Sequence, residues 1–377
     1  MLVFYTAGES HGRGVFAFLD GLPAGLKVDR GVIDADLARR QHGYGRGDRM
    51  AIEKDRVDVL SGIRGGITIG SPVLLAVWNQ DHENWNRYMD PWAITAGREL
   101  CAPRPGHADL AGAARYRHGD LRNVLERSSA RETAARVAAG GVLRCFLAAL
   151  GVEVHSWVTR IGPAGYGGPL DVRARDASIV FCPDETATRE MERAIDRAAA
   201  EGDSLGGEFA LAITGLPAGI GTYTQWNKRL DALLTMHLMS IPAIKAVQIG
   251  AGIACGELPG SKVHDPILPT RPKTRVSNNA GGLEGGTTNG EAVVARCTMK
   301  PIPTLMKGLA TVDLRDGSPV QAGYERSDVC AVPAASVVGE AMGAIAVSGA
   351  ILAGFTQPSM SALQSAFIEH RRYWETL

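Results

Sequence analysis

The sequence predicts an α+β protein whose two halves are similar and share one core. Strand-like and helix-like segments alternate along its 377 residues. The pentapeptide Gly-Leu-Pro-Ala-Gly occurs at 21–25 and again at 215–219, and a glycine-rich segment at 65–70 is echoed at 285–290. We interpret these repeats as an internal duplication in which each half supplies a sheet and a long helix. We expect one domain over 1–377, with pseudo-repeats at about 1–150 and 200–355 and no linker between them.

The periodicity of apolar residues places the individual elements. Apolar runs bounded by turn residues predict strands at 15–19, 57–60, 73–78, 153–159, 208–214, 243–249 and 292–298. Helical spacing predicts helices at about 29–41, 129–150, 185–201, 226–239, 336–352 and 361–374. Asp29 is expected to cap the first helix, and the four residues from Ser129 to Glu132 have the pattern of a capping box that opens the second.

Composition excludes several classes of protein. The chain has 45% hydrophobic and 21% charged residues and no formal net charge, which argues against disorder and against nucleic-acid binding as its main task. The longest apolar stretch, 341–355, is too short to span a bilayer, and no targeting segment is visible at the start. The six cysteines show no metal-binding spacing and read as reduced thiols. We therefore expect a cytoplasmic protein without a metal site or membrane partner.

The basic residues are strongly biased toward arginine, with 32 Arg against eight Lys. A GC-rich coding bias would explain this equally well. The functional alternative is recognition of carboxylate or phosphate, because guanidinium groups bind such anions with two parallel hydrogen bonds that lysine cannot reproduce.

Two histidines lie in glycine-containing turns. His11 follows Gly8, Glu9 and Ser10 and precedes a predicted strand, and His107 follows a Pro-Gly turn at the start of a predicted helix. Accessible imidazoles in such turns fit general acid catalysis, although a single turn histidine is more often only a surface residue.

Arginines and glycines cluster in the segments that remain. Arg39, Arg40, Arg46 and Arg49 surround a glycine-rich loop, which suits a polyanionic ligand or simply a solvated surface. The segment 126–132 brings hydroxyls, arginines and free N–H groups to a predicted helix N-terminus, which is either a phosphate site or a plain cap. A cationic segment at 300–304 and a glycine-rich loop at 277–290 complete the set. For Arg326 and Asp328 a structural ion pair is the default interpretation. Together these features suggest acid-base or elimination chemistry on a small, strongly anionic substrate.

The same residues resemble the chorismate synthase family over essentially the whole chain. The resemblance is carried by 8–23, 126–142 and 326–342, with support from 104–109, 203–207 and 300–304. It implies a homotetramer whose subunit is a β-α-β sandwich with helices between two antiparallel sheets. It also implies the anti-1,4-elimination of phosphate from C3 and of a hydrogen from C6 of 5-enolpyruvylshikimate 3-phosphate, which gives chorismate in the shikimate pathway. Reduced FMN is required although the reaction has no net redox change.

The resemblance also assigns roles to residues. His11 would protonate the leaving phosphate, His107 would protonate the reduced flavin, and Asp328 would work through flavin N5 to remove the C6 hydrogen. FMN would be contacted by Arg127, Ser128, Ser129, Ala243, Gly285, Lys300, Pro301, Ile302, Pro303, Thr304 and Arg326. The substrate would be held by Ser10, Arg40, Arg46, Arg49 and Arg131, with Arg40 and Arg46 alternatively placed at NADPH.

Two departures from the family pattern and two competing functions stay open. Pro242-Ala243 stands where many relatives have Asn-Ala, and Asn279 stands where relatives often have His or Arg. A nucleic-acid or nucleotide-binding module would need aromatic residues beside the arginines, but aromatics make up only 6% of the chain. An NADPH-dependent flavin reductase is compatible with the first interpretation, and a separate reductase is the alternative partner that would supply reduced FMN.

Overall fold

Two antiparallel sheets and the helices between them build the protein, whose computed structural model describes residues 1–47, 53–323 and 328–377. The strands are β1 Val3–Gly8, β2 Gly14–Asp20, β3 Asp58–Ser61, β4 Ile63–Arg64, β5 Ile67–Thr68, β6 Val73–Trp78, β7 Glu153–Ile161, β8 Ala164–Gly165, β9 Gly207–Thr214, β10 Ile244–Ile249, β11 Leu283–Glu284, β12 Thr287–Thr288, β13 Val293–Met299, β14 Ala310–Val312 and β15 Pro319–Gln321. The helices are α1 Arg30–Gln41, α2 Asp109–Tyr116, α3 Arg122–Ser128, α4 Thr133–Ala148, α5 Val172–Ala177, α6 Glu185–Ala200, α7 Leu230–Met239, α8 Gly260–Val263, α9 Val332–Gly354 and α10 Met360–Thr376. Short 3-10 helices occur at Gln80–Asn84, Ala130–Glu132, Trp226–Lys228 and Gly252–Gly256.

Each large sheet is antiparallel throughout. The first has the strand order β1-β2-β6-β3, and the second has the order β10-β13-β9-β7-β8. In both sheets the strands alternate between buried and more exposed residues, so one face of each sheet is directed into the core. The α+β fold class predicted from the sequence is therefore confirmed.

The two longest core helices, α4 and α9, pack directly on each other between the sheets. A Cβ at Gly140 of α4 would come within 2.3 Å of the Ala341 Cβ of α9. On its other side α9 approaches the second sheet so closely that a Cβ at Gly339 would lie 2.5 Å from the Phe209 ring. Glycine is needed at both positions because close-packed interiors leave no space for an added methyl group.

Helix α9 is longer than the sequence predicted. It covers 23 residues, Val332–Gly354, whereas the predicted helix was 336–352. By length and composition alone the helix could cross a membrane, but 83% of its most apolar window is buried inside the protein. Its composition is therefore that of a core helix, which is apolar on all sides because neighbouring elements cover most of it.

Most predicted elements are found, with corrections at a few boundaries. The elements that were not predicted are strand β1, the short strands β4, β5, β8, β11, β12, β14 and β15, and helices α3, α5 and α8. The predicted capping box is wrong: Ser129 accepts a hydrogen bond from the Arg131 N–H at 3.3 Å and caps a 3-10 turn, and Glu132 forms an ion pair with Arg136 at 2.7 Å. The long helix consequently begins at Thr133. Asp29 caps α1 as predicted, accepting from the Gly31 N–H.

The repeated pentapeptides adopt the same hydrogen-bonded arrangement. The Thr68 hydroxyl donates to the Pro23 carbonyl at 2.6 Å, and the Thr288 hydroxyl donates to the Pro217 carbonyl at 2.6 Å. Each threonine lies on a two-stranded hairpin, β4-β5 or β11-β12, that follows the pentapeptide in the chain.

Candidate active site

His11 is held in a buried turn between β1 and β2. Its Nδ1 lies 2.7 Å from Oε1 of Glu126, and its backbone N–H donates to Oε2 of the same carboxylate at 2.8 Å. The ring stacks on Trp85 with the centroids 4.1 Å apart. Only 9% of the residue is exposed, so the expectation of a solvent-accessible imidazole is wrong for His11, because Glu126 and Trp85 cover it.

Arg40 and Arg131 share one buried carboxylate. Asp55 accepts from Arg40 Nη2 at 2.9 Å and from Arg131 Nη1 at 2.6 Å. Burial and the positive charges of Arg131 and Arg46 outweigh the attraction of Asp55 and lower the pKa of Arg40 to about 10. Although burial opposes ionisation, the two guanidinium groups hold the pKa of Asp55 below its ordinary value. Glu53 Oε2 lies a further 3.7 Å from Arg131 Nη2, so two buried carboxylates face the two guanidinium groups.

Arg46, whose charge also acts on Arg40, pairs with Asp328. Its Nη1 lies 2.7 Å from Asp328 Oδ2, and the Gly47 N–H donates to Asp328 Oδ1 at 2.7 Å. We call Arg40, Arg46 and Arg131, together with Asp55 and Asp328, the arginine cluster. Arg49 and Arg326 lie outside the described residues, so the predicted pairing of Arg326 with Asp328 is untested, whereas Arg46 does pair with Asp328.

The predicted arginine loop is partly wrong. Arg39 and Arg40 lie on the last turn of α1 rather than in a flexible loop. Arg39 points away from the cluster, donating through Nη1 to Glu340 at 2.7 Å. Arg40 is 3% exposed, so a merely solvated surface role is excluded for it.

Asn79 connects the arginine cluster to the His11 turn. Its side-chain oxygen accepts from Arg131 Nε at 2.7 Å, while its amide donates to the carbonyls of Glu9 and Gly12 at 3.1 and 2.8 Å. On the other side of the turn, the Ser10 hydroxyl donates to the Ser129 hydroxyl at 3.0 Å. The sequence prediction that Ser10, His11 and Arg131 share one site is thus consistent with their placement.

His107 lies in a second cluster with Arg104 and Asp109. Its Nδ1 is 2.6 Å from Asp109 Oδ1, and Arg104 Nε donates to Asp109 Oδ2 at 2.8 Å. Burial opposes ionisation, but the hydrogen bonds from His107 and Arg104 hold the pKa of Asp109 well below its ordinary value. Lys300 donates to the Gly106 carbonyl, and Arg104 Nη1 lies 3.4 Å from the Thr304 hydroxyl. The cationic segment 300–304 therefore contacts the His107 turn.

The loop 203–207 lies between the two clusters. Its Leu205 N–H donates to the Val329 carbonyl at 2.8 Å, and the Val329 N–H donates to the Gly45 carbonyl at 2.8 Å. At Gly206 a Cβ would lie 2.8 Å from the Pro301 nitrogen. This loop thus contacts Val329, the residue after Asp328, and also the segment 300–304.

The residues at the end of α3 differ from the prediction. Arg127 and Ser128 belong to the last turn of α3 and not to a helix N-terminus. The Arg127 guanidinium is occupied by the carbonyls of Gly8 and Thr6 on the edge strand, at 3.0 and 2.9 Å. The Ser128 hydroxyl is buried and has no hydrogen-bond partner within the described part of the chain. Such a hydroxyl can donate a hydrogen bond to an acceptor atom of a bound ligand.

Ala243 and Gly285 lie near opposite ends of β13. Ala243 adopts a left-handed φ of 68° and accepts from the Lys300 N–H at 3.0 Å, beyond the Met299 end of the strand. Gly285 lies in the β11-β12 hairpin, which precedes the Val293 end. Seven residues of extended strand separate the two ends by about 20 Å. Asn279, the other departure from the family pattern, donates to the Val263 carbonyl at 3.0 Å and holds its own loop.

Sequence reasoning missed the residues that support the site. Asp55, Asn79 and Trp85 carry no motif, and their partners lie far away in the chain. Glu126 was read only as the first residue of a helix end. The only signal for it in the sequence is an acidic residue directly before an Arg-Ser-Ser segment.

Comparisons with known proteins give matches over most or all of the chain. The family model described as "Chorismate synthase" matches residues 2–352. A chorismate synthase of Desulforudis audaxviator (strain MP104C) is 54% identical, with 100% of this chain and 98% of the relative covered. A chorismate synthase of Moorella thermoacetica (strain ATCC 39073 / JCM 9320) is 49% identical, with 100% of both chains covered. A solved structure titled "Crystal Structure of Chorismate Synthase" is 35% identical with a TM-score of 0.80, covering 100% of this chain and 99% of the other.

Proposed function

The chain belongs to the chorismate synthase family, and from this premise we propose which of its residues carry out the family's reaction. The enzyme is a lyase that converts 5-enolpyruvylshikimate 3-phosphate to chorismate and phosphate, a step of the shikimate pathway. The C3–O bond breaks, the hydrogen leaves C6, and the released electron pair forms the second ring double bond, so no electrons are gained or lost overall.

The arginine cluster is the observation that carries the proposal for substrate binding. The substrate has two carboxylates and a phosphate, and such charges are tolerated in a buried site only beside fixed cations. Arg40 and Arg131 are 3% and 4% exposed, and both are fixed in place by ion pairs with Asp55. Ser10 and His11 lie next to this cluster through Ser129 and Asn79. We place the substrate here, with Arg49 completing the set by the family pattern.

The two histidines and Asp328 are the proposed proton-handling groups. His11 donates a proton to the departing phosphate, since it adjoins the arginine cluster. Asp328 takes up the hydrogen lost from C6, because its carboxylate reaches the cluster beside Arg46. His107 serves the cofactor region, where it contacts Arg104 and the segment 300–304.

The residues fit a bound FMN in their donor chemistry. Ser128 offers a buried hydroxyl that has no partner among the described residues, and Lys300 and Arg104 supply cations that suit a phosphate. Reduced FMN, when bound, supplies an electron-rich ring system that assists loss of the phosphate. Within one chain Gly285 lies away from this region, so its family role is the least supported of the FMN assignments. A direct role for NADPH has no observation in its favour beyond Arg40 and Arg46 themselves.

The enzyme should form chorismate only when FMN is supplied reduced. Anaerobic protein with dithionite-reduced FMN and 5-enolpyruvylshikimate 3-phosphate should release equal amounts of chorismate and phosphate, and oxidised FMN alone should give neither. NADPH in place of dithionite should be ineffective until a separate flavin reductase is added. Full turnover with oxidised FMN and no reductant would refute the cofactor proposal.

Arg46→Ala should weaken substrate binding by about ten- to a hundredfold, because it removes a charge-assisted contact worth about 1.5 to 3 kcal/mol. The same is expected of Arg49→Ala. Titration of substrate into the FMN-loaded protein measures the effect, with Arg189→Ala on the exposed face of α6 as the control. Unchanged affinity in Arg46→Ala would reduce Arg46 to a structural partner of Asp328.

We also propose that the subunit is one duplicated domain and that it assembles as a cytoplasmic homotetramer. The matching hydrogen bonds of Thr68 and Thr288 support the duplication. The outer face of the first sheet supports association, because Tyr5, Phe18 and Leu74 are cross-strand neighbours there and are not buried.

A further inference from the structure

We propose that Glu126 is a positioning residue that fixes the proton of His11 on Nδ1 and so reserves Nε2 for the reaction. The inference rests on the proposed role of His11 as proton donor to the leaving phosphate. Nothing in the family pattern used above assigns a role to Glu126. The structure places its carboxylate on His11 through two separate contacts.

The two contacts leave only one arrangement of donors and acceptors. The backbone N–H of His11 is always a donor, and it is bound by Glu126 Oε2 at 2.8 Å. The other oxygen, Oε1, lies 2.7 Å from Nδ1. Because an ionised carboxylate only accepts hydrogen bonds, Nδ1 must carry the proton that it donates. The neutral form of the ring is therefore the tautomer with Nε2 unprotonated.

Glu126 is itself held firmly. Its side chain is 4% exposed, and Arg122 one turn earlier on α3 lies 3.9 Å from Oε1. Its backbone carbonyl accepts from the Ser10 N–H at 2.9 Å, so Glu126 alone makes three hydrogen bonds to the His11 turn. The carboxylate cannot move away from His11 without breaking the turn.

Trp85 restrains the plane of the His11 ring, whereas Glu126 determines which ring nitrogen carries the proton. It stacks on the His11 face at 4.1 Å and is itself covered by the guanidinium groups of Arg98 and Arg122, 4.4 and 5.0 Å from its ring centre. Stacking restrains rotation of the imidazole but is indifferent to which nitrogen carries the proton. The choice of nitrogen is left to Glu126.

The contact of Glu126 with Nδ1 determines which proton His11 gives to the leaving phosphate. An imidazolium carries a proton on each nitrogen, and only one of them can go to the leaving phosphate. With Nδ1–H bound to Glu126, loss of the Nε2 proton leaves the tautomer that the carboxylate already stabilises. Glu126 thus directs the proton that leaves without touching the substrate, which is the role of the third member in other acid-base triads.

Glu126→Gln tests this because glutamine offers only one acceptor oxygen. The His11 N–H must take that oxygen, which turns the amide NH₂ toward Nδ1 and requires Nδ1 to accept. We expect kcat to fall by about a hundred- to ten-thousandfold. The KM for the substrate and the affinity for FMN should stay within about threefold. A purely structural role would instead lower the melting temperature and leave kcat per folded molecule unchanged, which would overturn the proposal.

Nitrogen-15 NMR of histidine-labelled protein gives a readout independent of activity. His11→Asn identifies the His11 resonances among the nine histidines. The neutral ring of the native protein should be protonated on Nδ1, and that of Glu126→Gln on Nε2. A native His11 protonated on Nε2 would overturn the proposal. Should the glutamine variant fail to fold, Glu126→Asp retains a carboxylate and should keep the Nδ1 proton with reduced turnover; an Nε2 proton there would count against Glu126.

Two further variants separate this inference from the proposed function. Glu132→Gln removes a neighbouring buried carboxylate that pairs with Arg136 and Thr6, and it should retain turnover and the Nδ1 proton of His11. His11→Ala tests the catalytic assignment itself. If His11→Ala is fully active, the proposed function of His11 fails, even where the NMR shows that Glu126 sets its proton.

Discussion

Asp328→Ala is expected to lower turnover by about a hundred- to ten-thousandfold while the protein still binds substrate and FMN. The carboxylate is the group proposed to take up the hydrogen from C6, and it lies 2.7 Å from Arg46 Nη1. Stopped-flow measurement of chorismate formation with reduced FMN checks the expectation. Turnover within threefold of the native enzyme would discard the assignment.

The ion pair with Arg46 provides the competing explanation for any loss of activity. If Asp328 acts only by holding Arg46, then Asp328→Ala should weaken substrate binding as Arg46→Ala does. In that case it should have no further effect in an Arg46→Ala background. If Asp328 handles the proton, its removal should lower kcat by a similar factor in both backgrounds.

Glu340→Gln is expected to lower the free energy of unfolding by about 3 to 5 kcal/mol at pH 7. Glu340 is 1% exposed, and Arg39 binds both of its oxygens at 2.7 and 2.9 Å. Arg175 and Arg144 add contacts at 3.1 and 3.5 Å. Glutamine removes the one negative charge that all three guanidinium groups share, and among the described residues it leaves only Asp36 and Asp176 to offset them. Urea unfolding measures the change.

The pH dependence of this loss is a second check. Burial opposes ionisation, but Arg39, Arg144 and Arg175 lower the pKa of Glu340 to about 2, from an ordinary value of 4.5. The stabilisation is therefore complete above pH 4.5 and disappears as the pH falls toward 2, amounting to about 3 kcal/mol. The difference between the native protein and Glu340→Gln should shrink over this window.

A matched control separates this buried charge from ordinary ion pairs. Glu185→Gln removes an exposed pair with Arg189 on α6 and should change the unfolding free energy by less than about 0.5 kcal/mol. If Glu340→Gln behaves like Glu185→Gln at both ends of the pH window, the buried network does not stabilise the fold.

The sequence predicts those features that depend on residues close together in the chain. Strand β6 was predicted with its observed bounds because its apolar run is bounded by turn residues. The end of α1 was placed correctly, yet the burial of Arg40 was not foreseen, because it depends on packing against Asp55 and Arg131. Glu126 was missed as a partner of His11 because 115 residues separate them. Pairings over such distances are decided by packing between elements, which local periodicity does not encode.

The position of Arg39 and Arg40 side by side on α1 has a consequence for affinity. Arg39 is tied to Glu340 of α9, and Arg40 is tied to Asp55, so the helix turn that bears both is anchored on two sides. Arg131 is likewise anchored by Asp55 and Asn79. Ordering a long side chain on association costs about 0.5 to 1.5 kcal/mol. In this enzyme that conformational entropy is already lost on folding, so an arriving anion meets guanidinium groups that are preorganised to receive it.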